Sequence, residues 1–493
     1  MPISLLIALL IAFGIDLPGP EVPGSLVPFR ILEAAGGVLL IAVMSFGLGG
    51  WVASRVAHAG YASGRVFRRY IQGSRLLTMA GLGIYAWIIH GVGWSGLVLS
   101  NWKLEGSILV DDLAIFAPFL LIQLATWSGL YLAERALHGA RNCPPWHTYL
   151  TLKSRQAIGL TLPVILIFVL RHDVFGRLWP GWHRHPAAEP IELACLGLSI
   201  LFASPLFIRL AWPTRSLPDG PLRRRLERVA RRVGFRFTDF LVWDTGGMMV
   251  NACVTGVLPW FRYVLLSDAL LDSLSPAEVA AVFGHEVGHV AHRHLPYFGF
   301  FFMGSLALIS LAAGAISIPE AWVAGLPWID PSDVSQATEI AEAGLLLAAA
   351  GVFFWLVFGH LSRRFERQAD VFGCKVVSCG DPDCPPHFDF DEEGSPPAEG
   401  RPRPLDGLCP VGIQVFTDAL SCVARHNGLD IRARSWRHGS IASRIDFLRG
   451  LQANPRGEPA FQRRVRALRA TVAALLMATF AVALFTHSWE LLP

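Results

Sequence analysis

Residues 283–294, FGHEVGHVAHRH, carry four histidines and one glutamate in twelve positions. On a helix, His285 and His289 stand one turn apart on nearly the same face and can aim imidazole nitrogens at one ion. Glu286 is rotated from His285 by about 100°, which sets it beside such an ion and not on it. This is the H-E-x-x-H arrangement: two zinc-ligating histidines and a carboxylate placed to take a proton from water. His292 returns to almost the same face as His285. Seven residues of helix rise about 10.5 Å, however, too far for both to reach one zinc through bonds of about 2.0–2.1 Å. A His289 and His292 pair stays open as an alternative, but would leave Glu286 without a role. On an unbroken helix His294 points to the opposite side, so His292 and His294 are expected near a helix end, bonding its last carbonyls.

A catalytic zinc takes three protein ligands and keeps one position open for water. RRFERQAD offers Glu366, with Asp370 one turn later. Glu366 could ligate the ion while Asp370 orients a ligand histidine through its second ring nitrogen. Equally, both could pair with Arg363, Arg364 or Arg367 on a charged helix face. Spacing leaves the two readings open.

The elements that must position these residues have their own signals. SLSPAEVAAVFGHEVGHVAHRH opens with Ser275 as a helix cap, Pro276 in the first turn and Glu278 completing a capping box. Before it, FTDFLVW, MMVNACV and FRYVLLS are separated by turn sequences and predict a small antiparallel sheet. PDGPLRRRLERVARRVGF reads as a basic amphipathic helix, suited to a membrane surface or to a solvated face. Two apolar runs then form a hairpin that returns the chain at LSRRFERQADVFGCK, helix-compatible to Lys375. Residues 381–407, rich in Pro, Gly and acid, predict a flexible excursion, and helical patterns follow at about 411–427 and 438–452.

Composition sets the class. Of 493 residues, 53% are hydrophobic and 16% charged, too oily for a soluble globular protein. Runs long enough to cross a bilayer recur near 2–16, 32–54, 76–99, 112–133, 156–172, 191–212, 298–318, 341–360 and 468–486, about nine spans. The first lacks a basic n-region and a small-residue cleavage site and reads as a helix, not a secretory signal. Basic residues gather after the second span (Arg55, Arg65, Arg68, Arg69, Arg75), the fourth (Arg135, Arg141, Lys153, Arg155) and the sixth (Arg215 and the run from Arg223). The positive-inside bias makes that face cytoplasmic; Arg171, Arg177 and Arg184 are the misfit. Reducing conditions there argue against disulfides. Cys374, Cys379, Cys384 and Cys409 could hold a second, structural zinc, against the plainer reading of free thiols. A net charge of +4 gives no reason to expect a nucleic-acid partner.

The order NACVTG, SPAEVAAVFGHEVGHVAHRH, membrane hairpin, SRRFERQAD and HGSIASRIDFL resembles the membrane zinc metalloproteases of the CAAX prenyl endopeptidase and HtpX family, over roughly residues 221–452. The resemblance implies a gluzincin-type site: His285, His289 and Glu366 as ligands of one catalytic zinc, Glu286 as general base and Asp370 supporting the site. It further implies that Asn251 lies on a strand lining the substrate cleft, and that His438 and Arg444 lie near the active centre, His438 as a catalytic residue stabilising the oxyanion and Arg444, like Asn251, as a substrate-binding residue. Gly439 stands where the family's late motif usually has proline. The expected fold is therefore mostly α, a polytopic helical membrane protein whose zincin-like cytoplasmic metalloprotease domain carries the small sheet. The expected division is six spans over 1–212, a protease part over 213–297, a membrane hairpin over 298–360, a second cytoplasmic part over 361–467 and a last span over 468–493. The expected activity is peptide-bond hydrolysis on a peptide or membrane-protein substrate in the lipid bilayer. A transporter or scaffold with a structural or vestigial zinc site is the competing class. Oligomeric state is left open.

Overall fold

The structure, a computed structural model, describes residues 22–60, 64–104, 110–139, 143–169, 204–327, 334–379, 407–454 and 456–488, with isolated positions elsewhere. The chain divides into two compact units. One comprises Met1–Pro218, Phe237–Ser273 and His426–Gly428; the other comprises Asp219–Arg236, Leu274–Arg425 and Leu429–Pro493.

Among the described residues the first unit holds four long helices, α1 (Val27–Ala59), α2 (Gly64–Ala86), α3 (Val110–His138) and α4 (Trp146–Val169). Ile41, Tyr85, Ile88, Phe116, Phe119 and Ile122 bury one another in its core. Leu39, Val43, Leu76 and Met79 stand exposed on α1 and α2, the apolar outer face that a bilayer would solvate. The expected span at 76–99 is not one straight helix: Gly64–Gly91 and Trp94–Asn101 meet at a bend of 56°.

The same unit carries a four-stranded sheet, β1 (Thr214–Ser216), β2 (Asp239–Trp243), β3 (Ala252–Thr255) and β4 (Tyr263–Ser267), in the order β1-β2-β4-β3. It corrects the expectation of an antiparallel sheet. β1 and β3 pair antiparallel with their neighbours, but β2 and β4 run parallel, with Asp239 opposite Tyr263 and Trp243 opposite Ser267. The reason is burial. All five residues of β4 are buried, whereas β3 buries only Ala252, so the most apolar strand takes the centre and β3 is left on the edge. Trp212 stacks on Trp243 at 4.3 Å, and Arg209 Nη1 donates to Tyr263 Oη at 2.8 Å, fastening the sheet to the end of the helical run at 204–211.

The second unit is helical: α5 (Pro221–Arg232), α6 (Pro276–Ala291), α7 (His294–Ala315), α8 (Val334–Phe353), α9 (Gly359–Val376), α10 (Pro410–His426), α11 (Ile441–Ala453) and α12 (Gly457–Ser488). The capping box forms as expected. Glu278 N–H donates to Ser275 Oγ at 3.3 Å, and Ser275 N–H donates to Glu278 Oε2 at 2.8 Å. α8 runs into α9 through a five-residue π turn, Phe354–Phe358.

Among the described residues five helices are long and apolar enough to cross a membrane, or six if the bent pair counts as one span. The expected span at 156–172 coincides in part with α4, and those at 2–16 and 191–212 lie largely outside the described residues. This is an integral membrane protein.

α6 and α9 approach closely because Gly284 and Gly288 face α9. A Cβ on Gly288 would sit 2.9 Å from Phe372 Cβ and 3.0 Å from Ala369 Cα; one on Gly284 would sit 2.9 Å from Val376 Cβ. Gly288→Val should therefore destabilise the protein by roughly 1–3 kcal/mol through overpacking. Gly450→Ala, on α11 with nothing near its Cβ position, should be neutral or stabilising by up to about 1 kcal/mol. Thermal unfolding in detergent compares the two; equal melting temperatures would remove the close approach as a constraint.

Candidate metal centre

α6 presents His285 and His289 one turn apart, and α9 brings Glu366 and Asp370 against them. His285 Nε2 and His289 Nε2 are 3.2 Å apart. Glu366 Oε2 is 3.7 Å from His285 Nε2, and Oε1 is 3.8 Å from His289 Nε2. For metal bonds of about 2.0–2.1 Å, the edges of a tetrahedron are about 3.3–3.4 Å, so the three donors are spaced as three corners around an ion. Among the described residues these three are the group of histidine, cysteine and carboxylate side chains able to hold a metal. Two imidazoles and one carboxylate suit zinc.

Protonation favours the same assignment. Burial, reinforced by the neighbouring His285, pushes the His289 imidazole down to about 3, keeping it in the neutral form that can ligate. Burial works against a charge on His285 too, but Asp370 outweighs it and raises the imidazole above its ordinary value. His285 Nδ1 lies 3.0 Å from Asp370 Oδ1. The approach is oblique, so that Nδ1 lacks a straight hydrogen bond and attraction of charge carries the contact.

Asp370 is fully buried and is held by α11. Arg444 Nε donates to Asp370 Oδ2 at 2.8 Å and Nη2 to Oδ1 at 2.5 Å, a bidentate pair. Arg444 Nη1 also lies 3.5 Å from Glu366 Oε2. Burial alone would weaken the guanidinium's hold on its proton, but Asp370, Glu366 and the more distant Glu286 raise its pKa instead.

His438 comes from the loop before α11, its Nδ1 2.9 Å from Glu366 Oε1 and its side chain half exposed. Ser435 and Gly439 exchange backbone hydrogen bonds of 2.9 Å, closing the loop on itself. Arg363 Nη1 donates to Trp436 O at 2.5 Å, holding the loop on α9. Gly439 has φ +73° and donates its N–H. Proline could do neither, so glycine here accompanies a tighter closure.

His294 departs from its expected place. Arg293 adopts a left-handed conformation, φ 55° and ψ 41°, and breaks the helix that the projection took as continuous. α7 starts again at a new angle and turns His294 back toward the site, 1% exposed. Its Nδ1 lies 3.0 Å from His289 Nδ1, its Nε2 lies 3.2 Å from Gln368 Oε1, and its ring stacks on Phe365 at 4.1 Å. A left-handed arginine leaves no pattern in hydrophobic periodicity, so sequence reasoning had no signal for it. His292 stays at the end of α6, where its carbonyl accepts from Arg469 Nη1 at 2.9 Å.

The remaining expected residues lie elsewhere. Asn251 sits in the first unit, just before the edge strand β3, exchanging backbone and side-chain bonds with Ser267. Cys374 and Cys409 are buried and Cys379 is exposed. Among the described residues they make no metal-binding group, and Cys384 lies outside those residues.

Residues 216–388 match the profile described as "Peptidase family M48". Over 201 residues the chain is 26% identical to a "Protease HtpX homolog" of Methanocaldococcus jannaschii, covering 40% of this chain and 67% of that protein. Over 176 residues it is 25% identical to "CAAX prenyl protease 1" of Saccharomyces cerevisiae, covering 35% of this chain and 38% of that protein. The crystal structure of S. mikatae Ste24p overlaps 88% of this chain and 100% of its own, with a TM-score of 0.45 and 17% identity. The chain thus spans about two thirds of the archaeal relative and under two fifths of the yeast one. Through residues 216–388, it matches peptidase family M48 and is similar to the HtpX and CAAX prenyl protease proteins.

Proposed function

We propose that this protein is a membrane-embedded zinc metalloendopeptidase in which His285, His289 and Glu366 hold the ion. The observation that carries the reading is the spacing of those three donors, 3.2 to 3.8 Å, on two helices locked together. When bound, zinc supplies Lewis-acid polarisation of a carbonyl and a lowered water pKa. Glu286, half-buried on α6 beside His285, takes the proton from the attacking water and passes it to the leaving amine. His438, at the solvent edge of the site, steadies the developing oxyanion. Asp370 orients His285, and Arg444 holds Asp370 and Glu366 in place; its guanidinium is committed to those two carboxylates. The arginine distribution supports a cytoplasmic site, and the similarity to relatives named as proteases supports a peptide substrate. One zinc accounts for the donors found together.

Glu286→Gln should bind zinc as the unmodified protein does yet cleave a denatured reporter about 10²–10⁴-fold more slowly. Metal content and turnover in detergent read the two effects. Equal turnover by both proteins would sink the assignment. A second expectation concerns the charge beneath the ligands. Arg444→Met leaves Asp370 buried and unpaired, and should cost roughly 3–5 kcal/mol of stability. A chemical-denaturation midpoint unchanged by the substitution would show the pair to be dispensable.

A further inference from the structure

The contacts behind His289 form a chain of donors and acceptors with a direction. Gln368, 2% exposed on α9, turns Oε1 to His294 at 3.2 Å, and its Nε2 donates to Gln462 Oε1 on α12 at 2.6 Å. A carbonyl oxygen only accepts, so His294 Nε2 must carry the proton and donate. His294 Nδ1 is then a lone pair and can only accept from His289 Nδ1. His289 Nε2 is left without a proton, and this is the nitrogen 3.2 Å from His285 Nε2 and 3.8 Å from Glu366 Oε1. Reversing the two amides would reverse every donor and place a hydrogen on that nitrogen.

We propose that His294 and Gln368 are positioning residues that fix the tautomer and ring orientation of His289, holding its Nε2 free to bind the metal. Stacking of His294 on Phe365 at 4.1 Å keeps the relay from rotating. The two ligand histidines are thereby supported differently: His285 by the charged Asp370, His289 by a neutral relay across α7, α9 and α12. Loss of a partner behind a metal-bound histidine typically costs about 10–100-fold in metal affinity.

The inference rests on the zinc reading above. Its test measures zinc affinity of the full-length protein in detergent by competition with a chromophoric chelator, with visible spectra of the cobalt-loaded form. His294→Phe, which keeps the stack and loses the relay, should bind zinc about 10–100-fold more weakly. Gln368→Met should weaken binding in the same direction. Gln368→Glu, whose carboxylate can only accept, should bind at least as tightly as the unmodified protein and keep its cobalt spectrum. If His294→Phe fails to fold, the two Gln368 variants decide. Unchanged affinity in His294→Phe would overturn the proposal, as would equal weakening by Met and Glu at Gln368, which would reduce the relay to packing. An unmodified protein that binds no zinc would instead overturn the metal site itself.

Discussion

The site depends on how closely two helices can approach. His285 and His289 lie on α6, Glu366 and Asp370 on α9, and the donors converge because Gly284 and Gly288 present no side chain to the facing helix. With any larger residue at these positions the axes would separate by a sizeable fraction of an ångström or more, and a ligand set spaced for bonds of about 2 Å tolerates little of that. Gly284 and Gly288, each directly preceding a histidine, are therefore as constrained as the histidines themselves.

Close approach brings several charges together away from water. Asp370 and Glu366 are buried at 0% and 6% exposure, and Arg444 at 9% answers both. An isolated buried carboxylate would revert to its neutral acid at considerable cost; here each oxygen has a cationic or ring-nitrogen neighbour. α11 thus contributes to the site without supplying a ligand, through one guanidinium that joins it to α9. The loop before α11 adds His438 on the remaining oxygen of Glu366.

Much of this was legible because helical geometry is periodic. Four-residue spacing selected His285 and His289, the capping box at Ser275 and Glu278 located the start of α6, and the pair Glu366 and Asp370 emerged one turn apart on a second helix. What periodicity could not supply was the break at Arg293, which moved His294 from the far side of an ideal helix into contact with His289. Strand order escaped for a related reason: alternation and composition identify β4 as apolar but do not say that it returns between two earlier strands. Gly284 and Gly288 were visible as letters, yet their purpose appeared only with the helix they face. Resemblance marked His438 and Arg444; the structure shows what they touch.

Two residues separate α6 from α7, and a short π turn joins α8 to α9. Each helix that carries these donors is thus the near continuation of a helix apolar enough to span a bilayer. Such a mounting is stiff. It has the mechanics of two short posts set in the same foundation, with no hinge long enough to let the centre swing, rise or recede. The height of the donors above α7 and α8 is set by those short connections.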